Sequence, residues 1–215
     1  MVEYIIIFLY SFLLGTIPTA WLVMKKARNM DITKEGSGNV GAMNSYEVSG
    51  SKMIGVIVFI VDFLKGLTAV FITSLLFEEN FIFSAISMNA VVLGHCFNPW
   101  LGFRGGRGLA SAAGSTAIFS PLILLLWGIF WVIGYIFKKS IHFGNITATF
   151  LTGILAYTSA DILNKYTSPS SQDETLFGIF FGILMLIVIV KHIGPILDWL
   201  KLNKRTKVED LNERT

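Results

Sequence analysis

The sequence predicts an all-α membrane protein, a polytopic bundle of about seven transmembrane helices with glycine-rich loops on the cytoplasmic side. Composition is the first reason. Of 215 residues 53% are hydrophobic and only 14% charged, against about 25% charge in an average soluble domain, and the mean hydropathy is +0.67. Continuous apolar runs are the second. The stretch 54–60 does not alternate, whereas a transmembrane barrel needs alternating strands of about ten residues. A chain in lipid must satisfy its backbone polar groups internally, which leaves the helix. The third reason is the placement of basic residues, which sorts the loops onto two sides.

Apolar segments run over residues 4–24, 53–77, 81–97, 109–137, 144–163 and 176–190. A span takes about 20 residues, so five segments are near single-span length. The first begins with Glu3 rather than a basic region and has no clear small-residue cleavage site, so it reads as a retained span and not a signal peptide. Segment 109–137 is long for one tilted helix and short for two. Ser120-Pro121 stands near its middle, and proline removes a helical hydrogen bond. A tight hairpin turning near Pro121 gives seven passes, with short legs that need shielding by neighbouring helices.

Charge chooses between one pass and two. With the hairpin, Lys25, Lys26, Arg28, Lys34, Lys52, Arg104, Arg107, Lys138, Lys139, Lys191, Lys201, Lys204, Arg205, Lys207 and Arg214 fall on one side. Lys65 lies within a span and Lys165 on the opposite side. The positive-inside rule then places the N-terminus outside and the C-terminus in the cytoplasm, in the cell membrane. Residues 1–200 form the membrane domain and 201–215 a basic cytoplasmic tail. This placement accounts for the basic excess without nucleic acid. One cysteine, Cys96, excludes an intrachain disulfide or a CxxC site. A monomer is compatible with all of this, although nothing in the sequence sets the oligomeric state.

The same topology gathers three polar stretches on the cytoplasmic face. In residues 35–44, Gly36, Gly38 and Gly41 give permissive backbone, and Ser37, Asn39 and Asn44 give hydrogen-bonding side chains. Convergent N–H groups in such a loop suit an anion; an ordinary interfacial turn is the competing reading. In the second stretch, Gly105, Gly106 and Gly108 bracket Arg107 and lead into a helix. A helix N-terminus attracts phosphate and arginine binds two of its oxygens. Arg104 and Arg107 as plain interfacial anchors is the alternative. His95 and His192 are candidate acid–base or capping groups, and His142 beside Lys138 and Lys139 reads as interfacial. Three histidines without a carboxylate cluster do not suit zinc. Asp62 and Lys65 lie three apart inside a span, where charges face a partner or a cavity, and an ion pair is favoured over direct catalysis. Gly66 permits a close helix contact there.

Four blocks in order resemble the PlsY family of bacteria, the acyl-phosphate:glycerol-3-phosphate acyltransferases. They are Leu14-Gly15-Thr16-Ile17-Pro18, Gly36 through Ala42 with Asn44, Asp62 through Gly66, and Gly94-His95 through Phe103 to Gly105-Gly106-Arg107-Gly108. The resemblance implies a seven-helix bundle that transfers a fatty acyl group from acyl phosphate to the 1-hydroxyl of glycerol 3-phosphate. Lysophosphatidic acid and phosphate would be the products, and no metal or other cofactor is implied. It assigns catalytic parts to Ser37, Arg107 and His192. Substrate phosphate falls to Gly36, Gly38, Asn39, Gly41, Asn44, His95, Arg104, Gly105, Gly106 and Gly108. Backbone donors at 105–108 would stabilise the oxyanion, and His192 would orient the acceptor or take its proton.

The chain departs from the family pattern at several places. Met43 stands for threonine, Glu47 for arginine, Arg107 for lysine and Lys191 for arginine, Pro99 is offset by one, and Pro195 replaces the asparagine three residues after the histidine. Arginine and lysine differ in donor geometry, and a carboxylate at 47 repels phosphate unless turned away or protonated. A catalytically weak paralogue that binds phosphate or lipid and regulates phospholipid synthesis is therefore the second expectation. A transporter is the third, although the chain lacks a convincing inverted repeat.

Overall fold

A computed structural model describes residues 1–212, with side chains through Leu197. Ten α-helices run in order: α1 (Val2–Gly15), α2 (Thr19–Arg28), α3 (Ala42–Ser49), α4 (Lys52–Leu76), α5 (Phe81–Cys96), α6 (Leu109–Phe119), α7 (Pro121–Lys138), α8 (Ile141–Thr158), α9 (Ala160–Leu163) and α10 (Glu174–Asn212). Sequence punctuation sets their ends. Ser51, Asn80 and Ser140 cap α4, α5 and α8 by accepting from backbone N–H groups with their side chains, which satisfies donors that a helix start leaves free. Gly50 ends α3 at a φ of 66°.

Among the described residues, five stretches are long and apolar enough to cross a membrane: Val2–Arg28, Lys52–Leu76, Phe81–Leu101, Pro121–Lys138 and Glu174–Leu197. Ile141–Thr158 with Ala160–Tyr166, bent by 87°, makes a sixth if it counts as one span. The seventh expected pass falls on α6, whose 11 residues extend only about 16 Å at 1.5 Å per residue. The chain does break at Ser120-Pro121, with Pro121 at the first position of α7. The two legs are not a self-packed hairpin: α6 lies chiefly on α4, and α7 on α8. The backbone of residues 201–212 continues α10, while Arg214 lies outside the described residues.

Backbone contacts at glycine draw the helices together. A Cβ on Gly15 would overlap the Val91 carbonyl, and one on Gly94 would overlap that of Phe12, so α1 and α5 meet reciprocally. Gly66 and Gly114 do the same for α4 and α6 against Ser111 and Phe63. Small residues allow this approach, which matters in lipid, where no hydrophobic force drives helices together. The core lies toward the other end of α5, α6 and α10. Its Phe177 and Phe181 rings sit 4.7 Å apart, with Phe81 and Phe119 5.4 Å apart beside them. A smaller cluster of Ala20, Met24, Ile32, Val40, Ile54 and Val58 packs from α2 and α4 against the loop before α3 and holds it.

Candidate active site

The loop at 35–44 is built around Asn44. Its buried carboxamide accepts from Ser37 N–H at 3.0 Å and donates to the Glu35 and Asn39 carbonyls at 3.1 and 3.0 Å. Gly36 and Gly38 adopt φ values of 56° and 67°, a left-handed backbone that a side chain would strain. Gly41 is different: it is extended and precedes α3 as its N-cap. Ser37 is left exposed and Asn39 half-buried.

The second loop is pinned to α5. Gly106 N–H donates to the His95 carbonyl at 3.0 Å, and a Cβ at Gly106 would overlap the His95 imidazole. Gly108, at a φ of 85°, is the N-cap of α6, so Arg107 stands one residue before the cap. The two loops touch where Val40 N–H donates to the Gly105 carbonyl at 3.4 Å.

Beneath them lies the break between α1 and α2. The last turn of α1 leaves carbonyls without partners in its own helix, and in a membrane interior each needs a donor. Lys65 Nζ supplies Ile17 O at 2.8 Å and Gly15 O at 3.5 Å, while Asn98 Nδ2 supplies Thr16 O at 2.6 Å. Trp100 Nε1 reaches Thr16 Oγ1 at 2.9 Å. Lys65 is neutralised by Asp62 at 2.7 Å, and both are buried. His95 Nδ1 is 3.7 Å from the same carboxylate. A cavity of about 10 Å³ lined by Thr19, Asp62, His95, Asn98 and Gly105 closes the group, with room for about one water.

A second polar cluster gathers around Arg107. Its Nη1 lies 3.4 Å from His142 Nδ1. Burial holds the guanidinium below its ordinary value and the nearby Glu47 carboxylate opposes that shift, yet arginine stays charged at neutral pH. His192 is buried in α10, with Nδ1 2.8 Å from Val188 O and Nε2 3.3 Å from Asn145 Nδ2. Asn145 Oδ1 in turn takes the Trp131 indole N–H at 2.7 Å. Lys191 lies over the Phe97 ring, 4.9 Å from its centre. An apolar cavity of about 40 Å³ runs between α6, α7, α8 and α10, with Leu109 and Val188 in its wall. It shares Thr149 and Met185 with an open groove of about 430 Å³ between α8 and α10. Among the described residues, no three His, Cys, Asp or Glu side chains cluster to hold a metal ion.

A family model described as Glycerol-3-phosphate acyltransferase matches residues 5–201. The chain belongs to the glycerol-3-phosphate acyltransferase family. A family member from Helicobacter acinonychis (strain Sheeba) is 31% identical over 207 residues, 91% of each chain. One from Syntrophotalea carbinolica is 34% identical over 194 residues, covering 89% of this chain and 91% of its own. Among solved structures, the crystal structure of PlsY (YgiH), an integral membrane glycerol 3-phosphate acyltransferase in its glycerol 3-phosphate form, superposes with a TM-score of 0.73. It is 27% identical, with 92% of each chain covered. Its lysophosphatidic acid form gives 0.69 at 28% identity. This chain is thus an integral membrane protein of that family.

The residues expected at the site from the sequence divide into three groups. Arg107 and His192 share a cluster, and Gly105, Gly106 and Gly108 form the turn that presents Arg107. Ser37, Gly36, Gly38 and Asn39 lie in the neighbouring loop, joined through Val40, and Arg104 is exposed. Asn44 turns its carboxamide onto the Ser37 N–H and the Glu35 and Asn39 carbonyls, and the His95 ring lies against Asp62 and Gly106. Glu47 is exposed and lies close enough to act on Arg107 and His142. Sequence reasoning gave no part to Asn98, Asn145 or Trp131 and read His142 as interfacial. Asn98 follows the His95 block and was within reach. His142 and Asn145 lie on α8, where no glycine pattern marks them.

Proposed function

We propose that this protein acylates glycerol 3-phosphate with acyl phosphate as donor, releasing lysophosphatidic acid and inorganic phosphate. The observation that carries the reading is Arg107 just before α6, beside His142 and His192, with Leu109 two residues on lining an apolar cavity that shares Thr149 and Met185 with an open groove between α8 and α10. A substrate with a phosphate head and a fatty chain needs that order of chemistry. Arg107 and the free N–H groups at the start of α6 hold phosphate oxygens. The chain lies along Leu109, Val188 and Thr149. Ser37 and Asn39 close over the polar end from the adjoining loop.

In the reaction the 1-hydroxyl oxygen attacks the acyl carbon, the bond from that carbon to the phosphate oxygen breaks, and the phosphate leaves. The hydroxyl proton passes to the leaving phosphate or to His192. Backbone N–H groups of Arg107 and Gly108 stabilise the intermediate oxyanion, the Gly106 N–H being taken by the His95 carbonyl. The distribution of basic residues favours a site on the cytoplasmic face of the cell membrane, with the N-terminus outside. The test is a purified preparation given acyl phosphate and glycerol 3-phosphate. Phosphate and lysophosphatidic acid should form in equal amounts, and acyl-CoA in place of acyl phosphate should give neither. No product above background, with a family member active in parallel, overturns the reading.

A further inference from the structure

Two groups of fixed polarity bound the chain Trp131–Asn145–His192–Val188. An indole N–H only donates and a backbone carbonyl only accepts. Because Trp131 Nε1–H points at Asn145 Oδ1 (2.7 Å), the other end of that carboxamide, Nδ2, is the one facing His192. Because His192 Nδ1 lies 2.8 Å from Val188 O, Nδ1 carries the hydrogen. The remaining nitrogen, Nε2, therefore holds a lone pair, and the Asn145 N–H aimed at it from 3.3 Å is satisfied only while that lone pair exists. A proton on Nε2 would set two donors against each other.

We propose that Asn145, oriented by Trp131, is a positioning residue that keeps His192 neutral, as the Nδ1–H tautomer, with Nε2 as the acceptor nitrogen for the acylation step. A hydrogen bond to the neutral form of a group disfavours its charged form. Charged and titratable groups surround the ring. Arg107 from the second loop and His142 from α8 face His192, Lys191 neighbours it on α10, and Glu47 on α3 reaches Arg107 and His142. The acceptor hydroxyl would replace the Asn145 amide as the partner of Nε2. This inference rests on the acyltransferase reading for its catalytic meaning, but its tautomer content does not.

The experiment uses the full chain in detergent micelles, labelled with 15N-histidine, with His192→Gln identifying the His192 signals. The wild-type protein should give a protonated Nδ1 and a bare Nε2 at neutral pH. Asn145→Asp offers only acceptors, so it should hold His192 doubly protonated at neutral pH and raise its titration by about one pH unit or more. Trp131→Phe frees the carboxamide to turn and should move the titration the same way by less. In phosphate release, Asn145→Asp should lower kcat about tenfold or more near neutrality and carry the acid limb of the pH profile upward, with KM for acyl phosphate little changed. A merely structural role would leave the titration in place. A wild-type Nε2–H tautomer or imidazolium at neutral pH, or an unmoved titration in both variants, overturns the proposal. An inactive wild type with the stated tautomer would instead count against the acyltransferase reading alone.

Discussion

Replacing Lys65 with methionine should be among the most damaging single changes outside the reaction centre. The ammonium is buried 2.7 Å from Asp62 and donates to Ile17 O at 2.8 Å. Methionine fills similar volume but leaves Asp62 as an uncompensated buried charge, and breaking a buried pair in this way costs about 3–5 kcal/mol. For a chain of this size each kcal/mol moves the midpoint by about 2–4 °C, so an apparent Tm loss of about 6–20 °C is expected. The partner test is Asp62→Leu combined with Lys65→Met. Removing both charges abolishes the electrostatic penalty and leaves the α1 carbonyls without their donor, about 1–3 kcal/mol. The double variant should therefore be more stable than Lys65→Met alone. Tryptophan-fluorescence melts of detergent-solubilised protein give both values. An unchanged midpoint for Lys65→Met, or a double variant worse than the single, would refute the assignment of Lys65 as the donor that holds the α1–α2 break.

Three further outcomes follow from the same geometry. Arg107→Ala should lower kcat/KM about 100-fold or more, as loss of one transition-state donor does, and Arg107→Lys should restore part of it, because charge returns without the two-pronged fork; steady-state phosphate release measures both. Asn44→Ala removes the three hydrogen bonds that shape the 35–44 loop and should cost about 1–3 kcal/mol, read as a lower apparent Tm together with faster proteolysis at that loop. Gly114→Leu sets a side chain against the Phe63 carbonyl on α4 and should cost about 1–3 kcal/mol or prevent folding, read as lost monodisperse protein on size exclusion, while the same change at Gly128, which has open space, should be tolerated.

Sequence reasoning reached the parts of this molecule whose causes are local. Apolar length sets the spans, Ser120-Pro121 sets the break between α6 and α7, and glycine spacing marks both loops. It also reached the pairing of Asp62 with Lys65, since three residues on a helix put them on one face. It did not reach what Lys65 is for, because its carbonyl partners lie 48 and 50 positions away. Nor did it separate Asn44 from Asn39. Both are amides in one loop, and only the fold turns one inward to shape the backbone. The α6–α7 pair failed as a self-packed hairpin for a related reason: Gly114 finds closer contact on α4 than any residue of α7 offers.

Two of the departures from the family pattern, at Glu47 and Pro195, look different once α8 is in place. Pro195 removes a side-chain amide three residues after His192, and its ring nitrogen gives the helix no donor. A carboxamide nevertheless meets His192, from Asn145 on the neighbouring helix at 3.3 Å. Glu47 replaces a cation, but it stands near Arg107 and His142, which lie 3.4 Å apart, so its charge opposes a locally basic pair rather than an isolated phosphate site. His142 and Asn145 both lie on α8, spaced three apart so that one helical face carries both. Positions 47 and 195 therefore belong with His142 and Asn145 to one site. On that account Pro195→Asn alone should gain little activity, because the position beside His192 is already filled. Pro195→Asn with Asn145→Ser should exceed Asn145→Ser alone in phosphate release, and equal rates for those two variants would show that Asn145 does not stand in for the missing amide.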